Sequence, residues 1–162
     1  MVVRHSLTYK NDNQEGPTSK VNVSAKVEYA CVAMIELAAR YESENTVCLR
    51  DIAESHGIPS QFLVQIMLQL KAANLVSSTR GASGGYRLQM DPRDITLGQV
   101  MEVIEGNNRT VRSNIQKPTP VSQALCNLWN EIAADQQKKL TQATLHQLAQ
   151  QAVQSVEDMY YI

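Results

Sequence analysis

Two apolar-periodic stretches separated only by Gly57-Ile58-Pro59 constrain this chain more than any other feature. Leu49, Ile52 and Ala53 set one apolar face that stops at Gly57, the residue type best suited to a left-handed helix end. Ile58-Pro59-Ser60 follows at once. A proline at a helix start loses nothing by its missing N–H, and Phe62, Leu63, Ile66, Met67 and Leu70 then recur at helical spacing. The segment therefore predicts a helix of barely two turns, a tight turn, and a second helix ending near Asn74, whose short amide tolerates positive φ. Two helices joined in this way are the helix-turn-helix arrangement.

The flanking patterns extend that reading. Val27, Ala30, Cys31, Met34, Leu37 and Ala38 predict a helix from about Ser24 to Tyr41, with Ser24 as its N-cap. Beyond Asn74, Leu75-Val76 and Tyr86-Arg87-Leu88 are short candidate strands around the glycine-rich loop from Ser77 to Gly85, which predicts a β-hairpin, a wing beside the helix-turn-helix. Thr96 and Gln99 have capping-box spacing, Ile95 and Val100 the positions of a hydrophobic staple, and Gly106 marks the end of the helix they start. Residues 1–20 read as a flexible leader and residues 107–120 as a long loop. The remainder is helical, with Leu125, Leu128, Trp129, Ile132 and Ala133 on one stripe and Leu145, Leu148, Ala149, Ala152, Val153 and Val156 on another. At about 100° per residue these stripes fall on opposite faces of one straight helix, and Thr144 with Gln147 offers a second capping box, so a break is expected between Thr141 and Thr144. The glutamines from Gln136 to Gln154 read as a solvated face.

Composition excludes several classes. The 162 residues are 43% hydrophobic and 19% charged, the range of an ordinary folded domain, so disorder as the main state is excluded. No apolar run approaches the roughly 18 residues of a membrane span, and the N-terminus lacks an apolar signal core, so a soluble cytoplasmic protein is expected. Three cysteines, Cys31, Cys48 and Cys126, form neither a secreted disulfide framework nor a zinc site of close pairs. His5, His56 and His146 have no carboxylate or cysteine at catalytic or metal spacing. No enzyme, metal or cofactor is expected.

A net charge of -1 gives no global sign of nucleic-acid binding, so any such sign lies in the local distribution of charge. Residues 55–90 form 36 consecutive positions without an acid, and they hold His56, Lys71, Arg80 and Arg87. This stretch coincides with the second helix of the pair and the wing, where bound phosphates would repel carboxylates. Chance is the competing explanation, since acid-free stretches of 25 and 21 residues occur elsewhere. On that second helix Ser60, Gln61, Val64 and Gln65 face away from the apolar side. Glutamine can pair with adenine N6 and N7, and Val64 suits a thymine methyl. In isolation, Gln61 and Gln65 read as ordinary solvated surface. Arg80 is placed to enter a minor groove, with a surface ion pair as its alternative.

Ser24-Ala25-Lys26-Val27-Glu28-Tyr29-Ala30, Asp51-Ile52-Ala53, Gly57-Ile58, and above all the run from Leu75 to Leu88 with its Arg-Gly-x-x-Gly-Gly-Tyr core resemble the Rrf-two family of bacterial transcription regulators. The resemblance spans about Val21 to Gly106 and weakens around Trp129 and Thr144-Leu145. It implies a mainly α fold: a winged helix-turn-helix over residues 21–106, a sensing-type loop over 107–120, and a helical dimerisation region over 121–162 with a long helix crossing between subunits. The implied partners are double-stranded DNA and a second copy of the chain, with a partner protein or small-molecule effector open. The implied DNA-binding residues are Ser60, Gln61, Val64 and Gln65 on the recognition helix and Arg80, Ser83, Gly84, Gly85 and Tyr86 in the wing.

Two departures from the family pattern matter. Val64 stands where a polar or acidic residue is common, so base preference should differ. The loop from Asn107 to Pro120 lacks the three cysteines of cluster-bearing members. Cys126 reads as a small core residue rather than a ligand, and Cys48 as the better candidate for a reactive thiol. The expected function is a cluster-free homodimeric repressor on a pseudo-palindromic operator. The rival readings are a winged-helix module that binds a protein, and a sensor with an unusual ligand set.

Overall fold

A computed structural model describes residues 23–43, 45–82, 84–106 and 114–160. The expected leader at 1–20, Ser83, and the first half of the expected loop, 107–113, lie outside the described residues. In chain order the elements are α1 (Ala25–Ala39), α2 (Leu49–His56), α3 (Ser60–Ala72), β1 (Val76–Thr79), β2 (Gly85–Leu88), α4 (Leu97–Glu105), α5 (Pro120–Gln142) and α6 (Leu145–Tyr160). The fold is mainly helical with a two-stranded wing, as the sequence predicts.

Local chemistry sets most boundaries. The Ser24 hydroxyl accepts a bond from Val27 N–H at 3.3 Å and opens α1, which ends two residues earlier than expected because a 3-10 turn takes over from Tyr41 to Ser43. Gly57 closes α2 at φ 62°, and Asn74 follows α3 at φ 58°. Thr96 and Gln99 form the expected capping box, flanked by fully buried Ile95 and Val100. The C-terminal break falls at Ala143-Thr144, and Thr144 exchanges bonds with Gln147 as predicted. A further cap joins Thr119 to Ser122 ahead of α5, with Pro120 in its first turn.

The core is one cluster gathered around α1. Val27, Ala30, Met34 and Leu37 of α1 pack with Leu63, Ile66, Met67 and Leu70 of α3, with Ile95 and Val100, and with Leu145 and Ala149 of α6. Burying side chains such as Leu145 contributes roughly 1.5 to 3 kcal/mol each. Phe62 departs from the expected apolar face: Leu63, Ile66, Met67 and Leu70 are buried, whereas Phe62 is 59% exposed. The helix turns it past the edge of the core.

The hairpin pairs Val76 with Leu88, Ser77 with Arg87, Ser78 with Tyr86 and Thr79 with Gly85. Val47 adds a bridge to the other edge of β2 through two 2.8 Å bonds with Tyr86. At the far end α5 runs for 23 residues with only Ser122 buried. Its expected stripe does not enter the core of the protomer. Leu125, Leu128, Trp129 and Ile132 are each about half exposed, Val121 is 81% exposed, and Cys126 is half-buried rather than a core residue.

Candidate nucleic-acid interface

The helix pair is locked by its turn. Ile58 N–H donates to the Ala53 carbonyl at 2.9 Å and its side chain is buried, while Leu63 N–H reaches back to the Pro59 carbonyl. With Leu63, Ile66, Met67 and Leu70 fixed inward, α3 turns Ser60, Gln61, Val64 and Gln65 to the outside, all four exposed. The structure therefore brings the four helix candidates onto one surface.

That surface has a neighbour which local sequence patterns gave no reason to single out. Lys26, the second residue of α1, joins Gln61, Phe62, Val64 and Gln65 around an open concavity of about 660 Å³. At the other end of α3, Lys71 Nζ donates to Ser78 Oγ at 2.6 Å and ties the helix to β1. His56 is not free to face a phosphate: its Nε2 lies 2.9 Å from Glu36 Oε1, and the other Glu36 oxygen pairs with Arg40 at 3.3 Å.

The wing candidates divide by role. Arg80 is exposed near the tip and has no ion pair among the described residues, so the surface-pair alternative is not realised there. Gly84 and Gly85 are required by close backbone approach. A Cβ at Gly84 would lie 2.5 Å from the Thr79 carbonyl oxygen, and one at Gly85 2.5 Å from that of Val47. Tyr86 is half-buried with its side chain packed against the core.

Among the described residues no cysteine lines the concavity beside α3. Cys31 is partly buried on α1, and burial first, then the nearby Glu105 and Glu28 charges, push its thiol from 9.0 up to about 11. Cys48 is exposed immediately before α2. No helix among the described residues is long and apolar enough to cross a membrane.

Comparison with known proteins places this arrangement. The model of the Rrf2 family, described as an iron-dependent transcriptional regulator, matches residues 23–151. The chain belongs to the Rrf2 family. This Rrf2 protein is 33% identical over 129 residues to the HTH-type transcriptional regulator CymR of Bacillus subtilis, covering 80% of this chain and 90% of that one. It is 36% identical over 94 residues to the HTH-type regulator IscR of Vibrio cholerae, covering 58% and 54% of the two chains. The solved structure of B. subtilis CymR, described as the global cysteine regulator, superposes with a TM-score of 0.72 at 33% identity, over 81% of this chain and 98% of that one. Membership makes this Rrf2 chain a bacterial DNA-binding transcriptional regulator of the winged helix-turn-helix type, and not an enzyme.

Proposed function

We propose that this Rrf2 protein is a cytoplasmic homodimeric repressor that reads a pseudo-palindromic operator without an iron–sulfur cluster. The observation that carries the reading is the outward face of α3, where Ser60, Gln61, Val64 and Gln65 stand exposed beside Lys26, on the scaffold that also holds Arg80 exposed in the wing. Lys26 supplies a phosphate contact that positions the protein, Arg80 enters the minor groove, and the α3 residues supply base contacts that specify sequence. The wing segment Ser83, Gly84, Gly85 and Tyr86 carries Arg80 to the duplex. A protein seated on an operator blocks access to it, so repression is the simplest outcome.

Dimerisation is supported by the apolar stripe that α5 leaves uncovered in the protomer. Two heads joined through it would set their recognition helices about 34 to 36 Å apart, one helical turn of DNA. The cluster-free reading is supported by the donor set. Cysteine thiolates are the usual ligands of such centres. Here the three cysteines sit on α1, ahead of α2 and on α5, and none lies within 107–120. Among the described residues no group of three or more His, Cys, Asp and Glu side chains could hold a metal ion. A signal then reaches the protein through a partner protein or a small-molecule effector.

The test is selection from a pool of random duplexes at two salt concentrations, with sequencing of the retained fraction and light scattering of the free protein. The expected result is a palindromic motif, affinity falling steeply with salt, and twice the protomer mass. Arg80→Ala should weaken binding and flatten the salt dependence. Motif-free retention would replace this reading with that of a protein-binding module.

A further inference from the structure

The recognition helix carries an apolar residue in a place where solvated helices carry a polar one. At about 100° per residue, the buried residues Leu63, Ile66, Met67 and Leu70 centre on one direction, and Leu68 points almost directly opposite, in line with Gln61 and one turn beyond Val64. Leu68 is 50% exposed and Val64 40% exposed. They are neighbours at i and i+4, interleaved with the amides of Gln61 and Gln65. The patch lies among amides, with Phe62, 59% exposed, beside Val64 at its edge. It is also continuous with the Lys26 concavity.

An apolar pair among amides and beside a cation matches one feature of the major groove. Every base edge there offers hydrogen-bond donors or acceptors, and the C5-methyl of thymine is the groove's apolar group. We infer that Val64 and Leu68 form an apolar subsite for thymine methyl groups, so that each half-site sets thymines against this pair next to the adenines read by Gln61 and Gln65. The inference rests on α3 being the recognition helix, as proposed above, and it adds Leu68 to the residues that decide sequence.

Uracil isolates the claim because it removes the methyl and keeps every hydrogen-bonding group of thymine. Binding of the full chain is measured by fluorescence anisotropy on the selected operator, with deoxyuridine replacing thymidine at each half-site position in turn. The expected result is about a four-fold loss at one or two positions, the change that ~0.8 kcal/mol per buried carbon corresponds to. Leu68→Ala or Val64→Ala should bind the thymine duplex more weakly and bind the thymine and uracil duplexes alike at those positions. A wild-type protein indifferent to uracil at every half-site position overturns the inference while leaving operator binding intact. So does a thymine-to-uracil ratio that survives in both variants. Absence of any sequence-specific binding overturns the proposed function together with it. The uracil arm uses the unmodified protein, so it holds even where a variant is poorly folded.

Discussion

Replacing Gly85 by alanine asks whether the wing's glycines are required by packing rather than by DNA. The added Cβ would lie 2.5 Å from the Val47 carbonyl oxygen and 2.8 Å from its carbonyl carbon, both backbone atoms. Reaching an ordinary contact of 3.4 Å requires the Val47 segment to retreat by about 0.9 Å. The two bonds joining Val47 to Tyr86 are 2.8 Å each, and such a retreat stretches them to about 3.7 Å, beyond hydrogen-bonding range. Each lost bond costs about 1 kcal/mol net, and up to about 3 kcal/mol where the freed groups stay dry. Gly85→Ala should therefore destabilise the protein by about 2 to 6 kcal/mol. Urea unfolding followed by circular dichroism at fixed protein concentration measures it. Gly57→Ala is the comparison: nothing lies within 4 Å of its Cβ, so only the strain of φ 62° remains, about 1 kcal/mol. A loss below about 0.5 kcal/mol for Gly85→Ala, with unchanged urea dependence, would mean that Val47 yields freely and that the close approach does not demand glycine.

Leu145→Ala should cost about 2 to 5 kcal/mol in the same urea assay, since Leu145 is fully buried in the common core. Lys26→Ala should weaken binding to all duplexes alike and reduce the slope of log affinity against log salt by about 0.9, read by anisotropy across a salt series. The Cys31 thiol, raised from 9.0 to about 11, holds its proton longer in the folded chain than in the unfolded one. The stability this lends is complete below about pH 9 and is lost as pH rises toward 11, so Cys31→Ala should flatten that alkaline loss in a pH series of unfolding curves. At pH 8, iodoacetamide should modify exposed Cys48 well before Cys31, as peptide mass spectrometry would show.

What could be read from the sequence was local. Gly57, Asn74, and the Thr96 and Thr144 boxes act within three or four residues of themselves, so their roles are written where they stand. Periodicity was less complete. It assigned Phe62 to the core by spacing alone, although the first turn of α3 carries that ring past the packed region, and it singled out Val64 on the outward face but not Leu68, one turn further along. Contacts between distant segments left no trace. Lys26 reaches the α3 surface through tertiary packing, and Ser24 Oγ donates to Glu105 Oε1 at 2.6 Å across 81 residues. The half-burial of Cys126 was hidden for a related reason: an apolar stripe reads the same whether its cover comes from its own protomer or from outside it.

The way α5 is held gives it the mechanics of a lever. Its C-terminal end is clamped. Gly98 leaves so little room that a Cβ there would sit 3.3 Å from the Leu140 backbone. Leu97 N–H bonds the Ala143 carbonyl at 2.8 Å, and Leu145 N–H bonds that of Ile95 at 2.9 Å. From that fulcrum the helix extends back to Pro120, a reach of about 30 Å at 1.5 Å per residue. A tilt of about 10° at the clamp would sweep the far end through about 5 Å. The pairing of Gly98 with Leu140 thus aims the exposed stripe, and a single methyl group added at the fulcrum would be amplified at the tip.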